Sequence, residues 1–375
     1  MAILITGATG HLGPHLIAEL LRASDFDRVY VTARRTGEAA ASRVHAVERI
    51  ARRSLTEQGC GPIASSIVPI DADLVQGRLA IADPDLRRIE DDVEVIVHAA
   101  ADTRFGAPLE TLKTANVGAT LTVCRIAERC RHLRQLLFVS TACVAGRRTG
   151  RIPETIVNDP VGFANAYERT KWEAEAVVVS SGLPCRIARL STCAGSHVNG
   201  YVHRFGALHH LLHWMSRGLV PMVPGTAATP IDVISTDVAA AWLARAAGRD
   251  PKGVEICHVA LGDRAIPVDA LLDLVIPLLD AEGRGRVKRP ALVAEPVFES
   301  FTRMVGLSGD ALLARVQASA AAVLPSLLHP KTYDTSSAER CFGAPLPHAD
   351  MAALLSRVID FGRSQRWGVG EVCHA

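Results

Sequence analysis

The first thirteen residues limit what this chain can fold into more than any other segment. The apolar run Ala2-Ile3-Leu4-Ile5 leads directly into Thr6-Gly7-Ala8-Thr9-Gly10-His11-Leu12-Gly13, and an amphipathic stretch follows from about His11. A buried strand that turns on glycine into a helix is the corner at which nucleotide folds hold a pyrophosphate. In such a corner Gly7 permits the turn, Gly10 lets the backbone approach the phosphates, and Gly13 lets the helix pack close to the sheet. The same corner also occurs with no ligand, so its meaning depends on what lies downstream.

Downstream, short apolar runs alternate with amphipathic ones. Strands are predicted at Ala2–Thr6, Arg28–Ala33, Ser66–Ile70, Asp92–His98, Gln135–Ser140 and Pro184–Leu190, and helices at His11–Arg22, Glu38–Gln58, Asn116–Arg131 and Phe163–Ser181. Near-continuous apolar strands separated by helices predict an α/β Rossmann fold, a doubly wound parallel sheet covered on both faces. After about residue 195 the rhythm weakens. Glycine and proline gather over Gly218–Pro230, and helices are expected at Ser235–Gly248, Pro267–Asp280, Ser308–Leu328 and Ala349–Phe361. The expected division is a nucleotide-binding domain over 1–195 and a smaller, mostly helical substrate lobe over 196–375. Segments near 229–260 are expected to return to the sheet, and the cleft between the lobes to hold substrate.

Composition narrows the setting. Apolar residues are 49% and charged residues 21% of the 375, enough for a sizeable core. A net charge of +2 gives no case for nucleic acid or an anionic membrane. The nine cysteines are odd in number and form no C-x-x-C pair, which predicts a reducing cytoplasm. No apolar run is long enough to span a bilayer, and a core strand at the N-terminus predicts no signal peptide.

Two residues carry the chemistry. Tyr167 and Lys171 stand one helical turn apart and face the same side. A phenol titrates near 10, too high for proton exchange at neutrality. An adjacent ammonium, together with the positive nicotinamide ring of an oxidised cofactor, favours the phenolate, which makes the pair a proton donor to a carbonyl receiving hydride or a base for an alcohol losing it. Thr141, just past the predicted fifth strand, lies where parallel sheets bind ligands and has a hydroxyl to hold the substrate oxygen. Ser140 competes for that role, although a serine there more often satisfies backbone.

These residues together resemble the extended short-chain dehydrogenase/reductase superfamily, over residues 1 to about 195. The glycine turn, Thr141, Tyr167 and Lys171 match its cofactor corner and catalytic triad, and Asn116 matches the helix asparagine that supports its lysine. Ala99, Ala100 and Ala101 match the small residues lining the cofactor. Asp73 and Leu74 match the pair beside the adenine, and Thr9, His11 and Leu12 complete the phosphate turn. Val31–Arg34, Ala99–Phe105, Ser140-Thr141-Ala142 and Pro230–Ala239 are similar to fatty acyl-CoA reductases and carrier-linked thioester reductases. Ala72, Leu190 and Ser235 depart from that narrower pattern.

Arg34 and Arg35 end the second strand, where a carboxylate would select NAD and a guanidinium pairs with a 2′-phosphate. NADP(H) is therefore the expected cofactor, and NADPH-dependent reduction of a carbonyl the expected reaction. The resemblance implies a small-molecule or acyl-thioester substrate, bound to CoA or to a carrier and arriving in trans, and a homodimer. Two other readings remain: a nucleotide-sugar epimerase or dehydratase of the same fold, and a non-catalytic NADP-binding protein. Tyr201, His203 and Trp214 are expected to line the substrate cleft. His209 and His213 have metal-ligand spacing but no accompanying Glu, and no metal is expected. His98 reads as a satisfied core histidine.

Overall fold

In the computed structural model, which describes residues 1–23, 25–34, 39–61, 64–73, 75–158, 160–280, 285, 287–321 and 323–368, seven parallel strands form one sheet. They are β1 (Ala2–Thr6), β2 (Arg28–Ala33), β3 (Ser66–Asp71), β4 (Val93–His98), β5 (Gln135–Thr141), β6 (Cys185–Leu190) and β7 (Val254–Val259). Their spatial order is β7-β6-β5-β4-β1-β2-β3. The order reverses between β1 and β4, where Ile5 pairs with Val97 and Thr6 with His98. That reversal opens a crevice at the strands' carboxyl ends, the usual ligand position in such sheets.

Each face of the sheet is covered because each strand is apolar on both sides. Helices α1 (Gly13–Ala23) and α2 (Ala40–Glu57) bury Leu16, Ile17, Leu20, Val44 and Val47 on one face. On the other, α3 (Asp83–Asp92), α4 (Ala119–Ala127) and α5 (Ala166–Ser180) bury Leu86, Val123, Ile126, Ala174 and Val178. Each such side chain is worth about 1.5–3 kcal/mol when fully withdrawn from water.

The longer helices that follow are α6 (Ala207–Ser216), α7 (Thr236–Ala247), α8 (Val268–Leu279), α9 (Glu295–Leu307), α10 (Ala311–Ala321) and α11 (Met351–Ser364). Leu211, Leu212, Leu272, Val275, Leu355 and Ile359 unite several of them in a separate apolar core. Helix α7 instead joins the α1 face of the sheet, where the fully buried Trp242 donates its indole N–H to the Ala338 carbonyl at 2.9 Å.

Within the stretch expected to return to the sheet, Val254–Val259 is a full strand paired with Cys185–Leu190. Glu255 and His258 break its apolar pattern, but Glu255 is paired with Arg186 across the strands at 2.9 Å. Two other elements differ from expectation. The stretch expected as one helix over Ser308–Leu328 is α10 followed by a 3-10 turn at Leu324–Leu328. Pro325 has no N–H to continue an α-helical ladder. The helix expected from Asn116 opens instead with a π turn over Lys113–Gly118 before α4. Among the described residues no helix is long and apolar enough to cross a membrane.

Candidate active site

The glycine turn is closed by two backbone bonds, Gly10 N–H to the Gly7 carbonyl at 2.9 Å and Gly13 N–H to the Gly10 carbonyl at 3.1 Å. Gly7 has φ +80°, and a Cβ there would lie 2.5 Å from the Ala100 nitrogen. It is therefore Gly7 that lets the turn press against the Ala99–Ala100 backbone beyond β4. A Cβ on Gly13 would stand 1.6 Å from the Ala8 carbonyl oxygen. Its smallness lets α1 close on the turn itself, rather than on the sheet as expected. Helix α1 begins at Gly13, two residues later than expected, with His11 and Leu12 still in the turn. A cradle this tight at the switch point fits a dinucleotide pyrophosphate.

Thr6 and His98 tie the two sides of the crevice together. The Thr6 hydroxyl meets His98 Nδ1 at 2.7 Å and accepts from the Ala100 N–H at 3.3 Å, and His98 Nε2 meets Thr120 Oγ1 at 3.1 Å. His98 is thus a satisfied core histidine, and burial pushes it down to about 3, so it is neutral.

Asn116 lies in the π turn, a feature often found at functional sites. Its Oδ1 accepts the Asp102 N–H at 2.7 Å, and its Nδ2 donates to the Asp102 carbonyl at 3.1 Å and to Thr170 Oγ1 at 3.0 Å. It joins the Ala99–Asp102 segment to α5. Its contacts are to backbone and to Thr170 rather than to Lys171.

The triad converges at the carboxyl end of β5. Thr141 is the last residue of that strand, and its hydroxyl accepts the Cys143 N–H at 3.2 Å. It lies close enough to the Tyr167 phenol to favour the phenolate. Tyr167 is half-buried in the first turn of α5, with the Phe105 ring edge-on at 5.1 Å between centroids. Burial raises its pKa above the usual phenol range; Cys143 and Glu168 reinforce this and the nearby Thr141 hydroxyl opposes it.

Lys171, one turn on, is buried. Its Nζ donates to the Val139 carbonyl at 2.9 Å and stands 4.1 Å from the Phe138 ring centroid. Burial lowers it to about 7, against the pull of Glu175. The expected depression of the phenol is therefore not produced by the chain alone, because the ammonium is turned onto Val139 and is only partly charged at neutrality.

Ser140 does not satisfy backbone as expected. Its hydroxyl donates to Glu175 Oε1 at 2.6 Å, and Glu175 is held in turn by Arg189. Sequence reasoning missed both partners, although Glu175 continues the i, i+4 row of Tyr167 and Lys171.

Of the other expected site residues, Arg34 is exposed at the end of β2 and lies close enough to Asp102 to help lower its carboxyl. Asp73 folds on itself, accepting from Val75 N–H at 3.2 Å and Gln76 Nε2 at 3.1 Å. Arg35 and Leu74 lie outside the described residues.

Tyr201 and His203 hydrogen-bond each other at 2.8 Å; His203 lies near the Thr9 backbone, and Tyr201 packs 5.7 Å from the His15 ring. The structure thus brings them to the glycine turn and α1. Trp214 lies in the lobe core, its indole donating to Ser319 at 3.1 Å. Among the described residues no hydrogen bond or ring contact joins these three to Thr141 or Tyr167. His209 places Nδ1 against the Gly206 N–H at 3.0 Å and Nε2 against the Ala194 carbonyl at 2.8 Å, leaving no nitrogen for a metal.

Two aspartates in the segment 230–239 were also missed. Asp232 accepts the N–H groups of Leu261 and Gly262, each at 2.9 Å. Asp237 holds His15 Nδ1 and His197 Nδ1, each at 2.8 Å. Asp232, just before α7, ties that segment to the chain leaving β7, and Asp237, just inside α7, ties it to α1 and to His197.

A glycine cradle at the switch point of a parallel sheet, with threonine, tyrosine and lysine gathered at the end of β5, defines an extended short-chain dehydrogenase/reductase. Within that class the chain belongs to the male sterility protein family of NAD-binding domains, whose model matches residues 5–243. It is 30% identical to the isonitrile lipopeptide synthase of Streptomyces coeruleorubidus over 62% of this chain and 16% of that protein. With fatty acyl-CoA reductase 8 of Arabidopsis thaliana it shares 30% identity over 40% of this chain and 33% of that one. The chain thus spans a third or less of these curated relatives. In fold it is similar to the terminal R domain from the myxalamid PKS-NRPS biosynthetic pathway, with a TM-score of 0.75 at 22% identity, covering 98% of this chain and 91% of that one.

Proposed function

We propose that the chain is an NADPH-dependent reductase of acyl thioesters. The observation that carries this is the meeting of Thr141, Tyr167 and Lys171 beside the crevice that Gly7 and Ala100 close. The names of the relatives, a lipopeptide synthase and an acyl-CoA reductase, support the thioester as substrate. NADPH supplies hydride when bound. Thr141 holds the carbonyl oxygen, and Tyr167 gives it a proton as the carbon receives the hydride. The product is a hemithioacetal, which expels its thiol to leave an aldehyde; a second hydride and proton give the alcohol. Lys171 holds the nicotinamide ribose, and Asn116 keeps the Ala99–Asp102 wall in place beside it.

Arg34 supports NADPH over NADH, since a guanidinium pairs with a 2′-phosphate. The acyl group arrives in trans on CoA or on a carrier, and a cytoplasmic setting and a homodimer belong to the same reading. The test is purified protein with NADPH and either a long-chain acyl-CoA or a simple aldehyde, followed by nucleotide absorbance and product analysis. Acyl-CoA-dependent consumption with release of free CoA is expected. No consumption with either substrate, together with no uptake of NADPH by titration, overturns the proposal.

A further inference from the structure

The catalytic helix carries a third residue in the row of Tyr167 and Lys171. Glu175 follows Lys171 by one turn on the same face and is buried. Its carboxylate accepts the Ser140 hydroxyl at 2.6 Å, Arg189 Nε at 3.0 Å and Arg189 Nη2 at 2.8 Å. Arg189 is fully buried in the middle of the sheet, an expensive place for a guanidinium without a partner. Its remaining arm reaches His258 Nε2 at 3.4 Å. His258 Nδ1 faces the Asp334 carbonyl at 2.9 Å, so that nitrogen carries the proton and Nε2 is left to accept from Arg189. A continuous buried chain therefore runs from the Asp334 backbone through β7, β6 and α5 to Ser140. Ser140 stands between Val139, whose carbonyl anchors Lys171, and Thr141, whose hydroxyl lies near the phenol.

We infer that Glu175 is a positioning residue for the proposed reaction: locked by Arg189 and Ser140, it fixes the end of β5 that anchors Lys171 and sets a carboxylate one helical turn from the Lys171 amine. The inference rests on the proposed reductase reading only for its kinetic consequence. Two opposing influences meet at Lys171. Burial among β5 side chains favours the neutral amine, and the Glu175 carboxylate one turn away favours the ammonium. The other titratable group acting across from β4, His98, is neutral and supplies no charge. Arg189 holds the carboxylate in place through two hydrogen bonds, at 3.0 and 2.8 Å.

The test reads the titration of Lys171 directly. Lys113, Lys171, Lys252, Lys288 and Lys331 are the lysines of the chain, few enough to resolve by nitrogen NMR of the side-chain amines, with Lys171→Arg as the assignment control. Two variants are compared with the wild type. Glu175→Gln removes the charge and keeps an acceptor for Ser140. Glu175→Met with Arg189→Met removes both charges at similar volume, and it decides the matter if the unpaired arginine of the first variant prevents folding.

The expected result is a Lys171 midpoint lowered by about half a pH unit or more in either variant, with the alkaline limb of turnover displaced equally and the nucleotide KM little changed. A Lys171 midpoint unmoved in the folded variants, with activity lost only in proportion to the folded fraction, overturns the inference. If the wild type neither binds NADPH nor consumes it, the reductase reading fails while the lysine titration still decides the role of Glu175.

Discussion

The side chain of Asn116 and the backbone of Asp102 are joined by two hydrogen bonds, 2.7 Å into Oδ1 and 3.1 Å out of Nδ2, as two strands of a sheet would be. A side-chain amide thus replaces a strand at the point where the chain leaves β4 for the crevice. Asn116→Ala leaves a buried N–H, a carbonyl and Thr170 without this partner. Each lost partner costs about 1–3 kcal/mol when the group stays buried. The expected outcome is a loss of about 2–4 kcal/mol in urea unfolding, with weaker NADPH binding because the Ala99–Ala101 wall is released. Asn116→Asp, which keeps the acceptor and loses the donor, should fall between. Unaltered nucleotide affinity in a destabilised Asn116→Ala protein would separate the wall from the cofactor.

Tyr167→Phe keeps the ring that packs against Phe105 and removes only the phenol hydroxyl. A proton donor of this kind contributes about 10²–10⁴-fold to rate. Turnover should fall by that factor while NADPH affinity stays within about threefold and the melting temperature is unchanged. Retained turnover would remove Tyr167 from the chemistry.

Gly7→Ala tests the cradle. The left-handed backbone alone costs an alanine about 1–2 kcal/mol, and the new methyl also meets the Ala100 nitrogen at 2.5 Å. Either the β1–α1 corner or the Ala99–Ala101 segment must move, so loss of NADPH binding is expected with a lowered melting temperature. Gly61→Ala has nothing within 4 Å of its Cβ and serves as the neutral control. Equal binding by both variants would show that the turn does not hold the nucleotide.

Acid should destabilise the fold. Burial lowers His98 and His258 to about 3 and His209 to about 4. The unfolded chain takes up these protons near 6.5 and the folded chain does not, so stability is lost as pH falls below that value. Each ring contributes about 1.4 kcal/mol per pH unit in that window. His197 works the other way: the Asp237 hydrogen bond raises it, so its contribution is present in acid and lost as pH rises through its folded value. It is partly exposed and weaker, so the three buried rings should dominate. Urea midpoints at pH 7.5 and pH 5 give the answer; a midpoint that is no lower at pH 5 would mean these rings are accessible to protons.

Arg34→Ala should raise the KM for NADPH by about tenfold, the value of about 1.4 kcal/mol for one charged contact, and leave that for NADH unchanged. Equal changes for the two nucleotides would place Arg34 outside the 2′-phosphate pocket.

Much of this was legible in the residues themselves. Ile3, Val29, Val95 and Leu137 lie in apolar runs because parallel strands are buried on both faces, and that burial writes the sheet into composition. The glycine turn and the i, i+4 spacing of Tyr167 and Lys171 are local, so spacing alone places them on a corner and on a helix face. The Val254–Val259 strand was less legible, because Glu255 and His258 interrupt its pattern and find partners such as Arg186, Arg189 and the Asp334 carbonyl on other elements.

What the sequence by itself determined, then, is the order of strands and helices, the cradle, and which side chains can reach the end of β5. Only the tertiary structure decided which partners those side chains take: Lys171 on Val139, Ser140 on Glu175, Asn116 on Asp102, and Tyr201 with His203 at the glycine turn. The physical reason is range. Backbone conformation and burial pattern are fixed by residues a few positions apart, whereas a buried polar group is satisfied by whichever partner the packing of distant elements brings within 3 Å or so, and nothing in its neighbours along the chain encodes that choice.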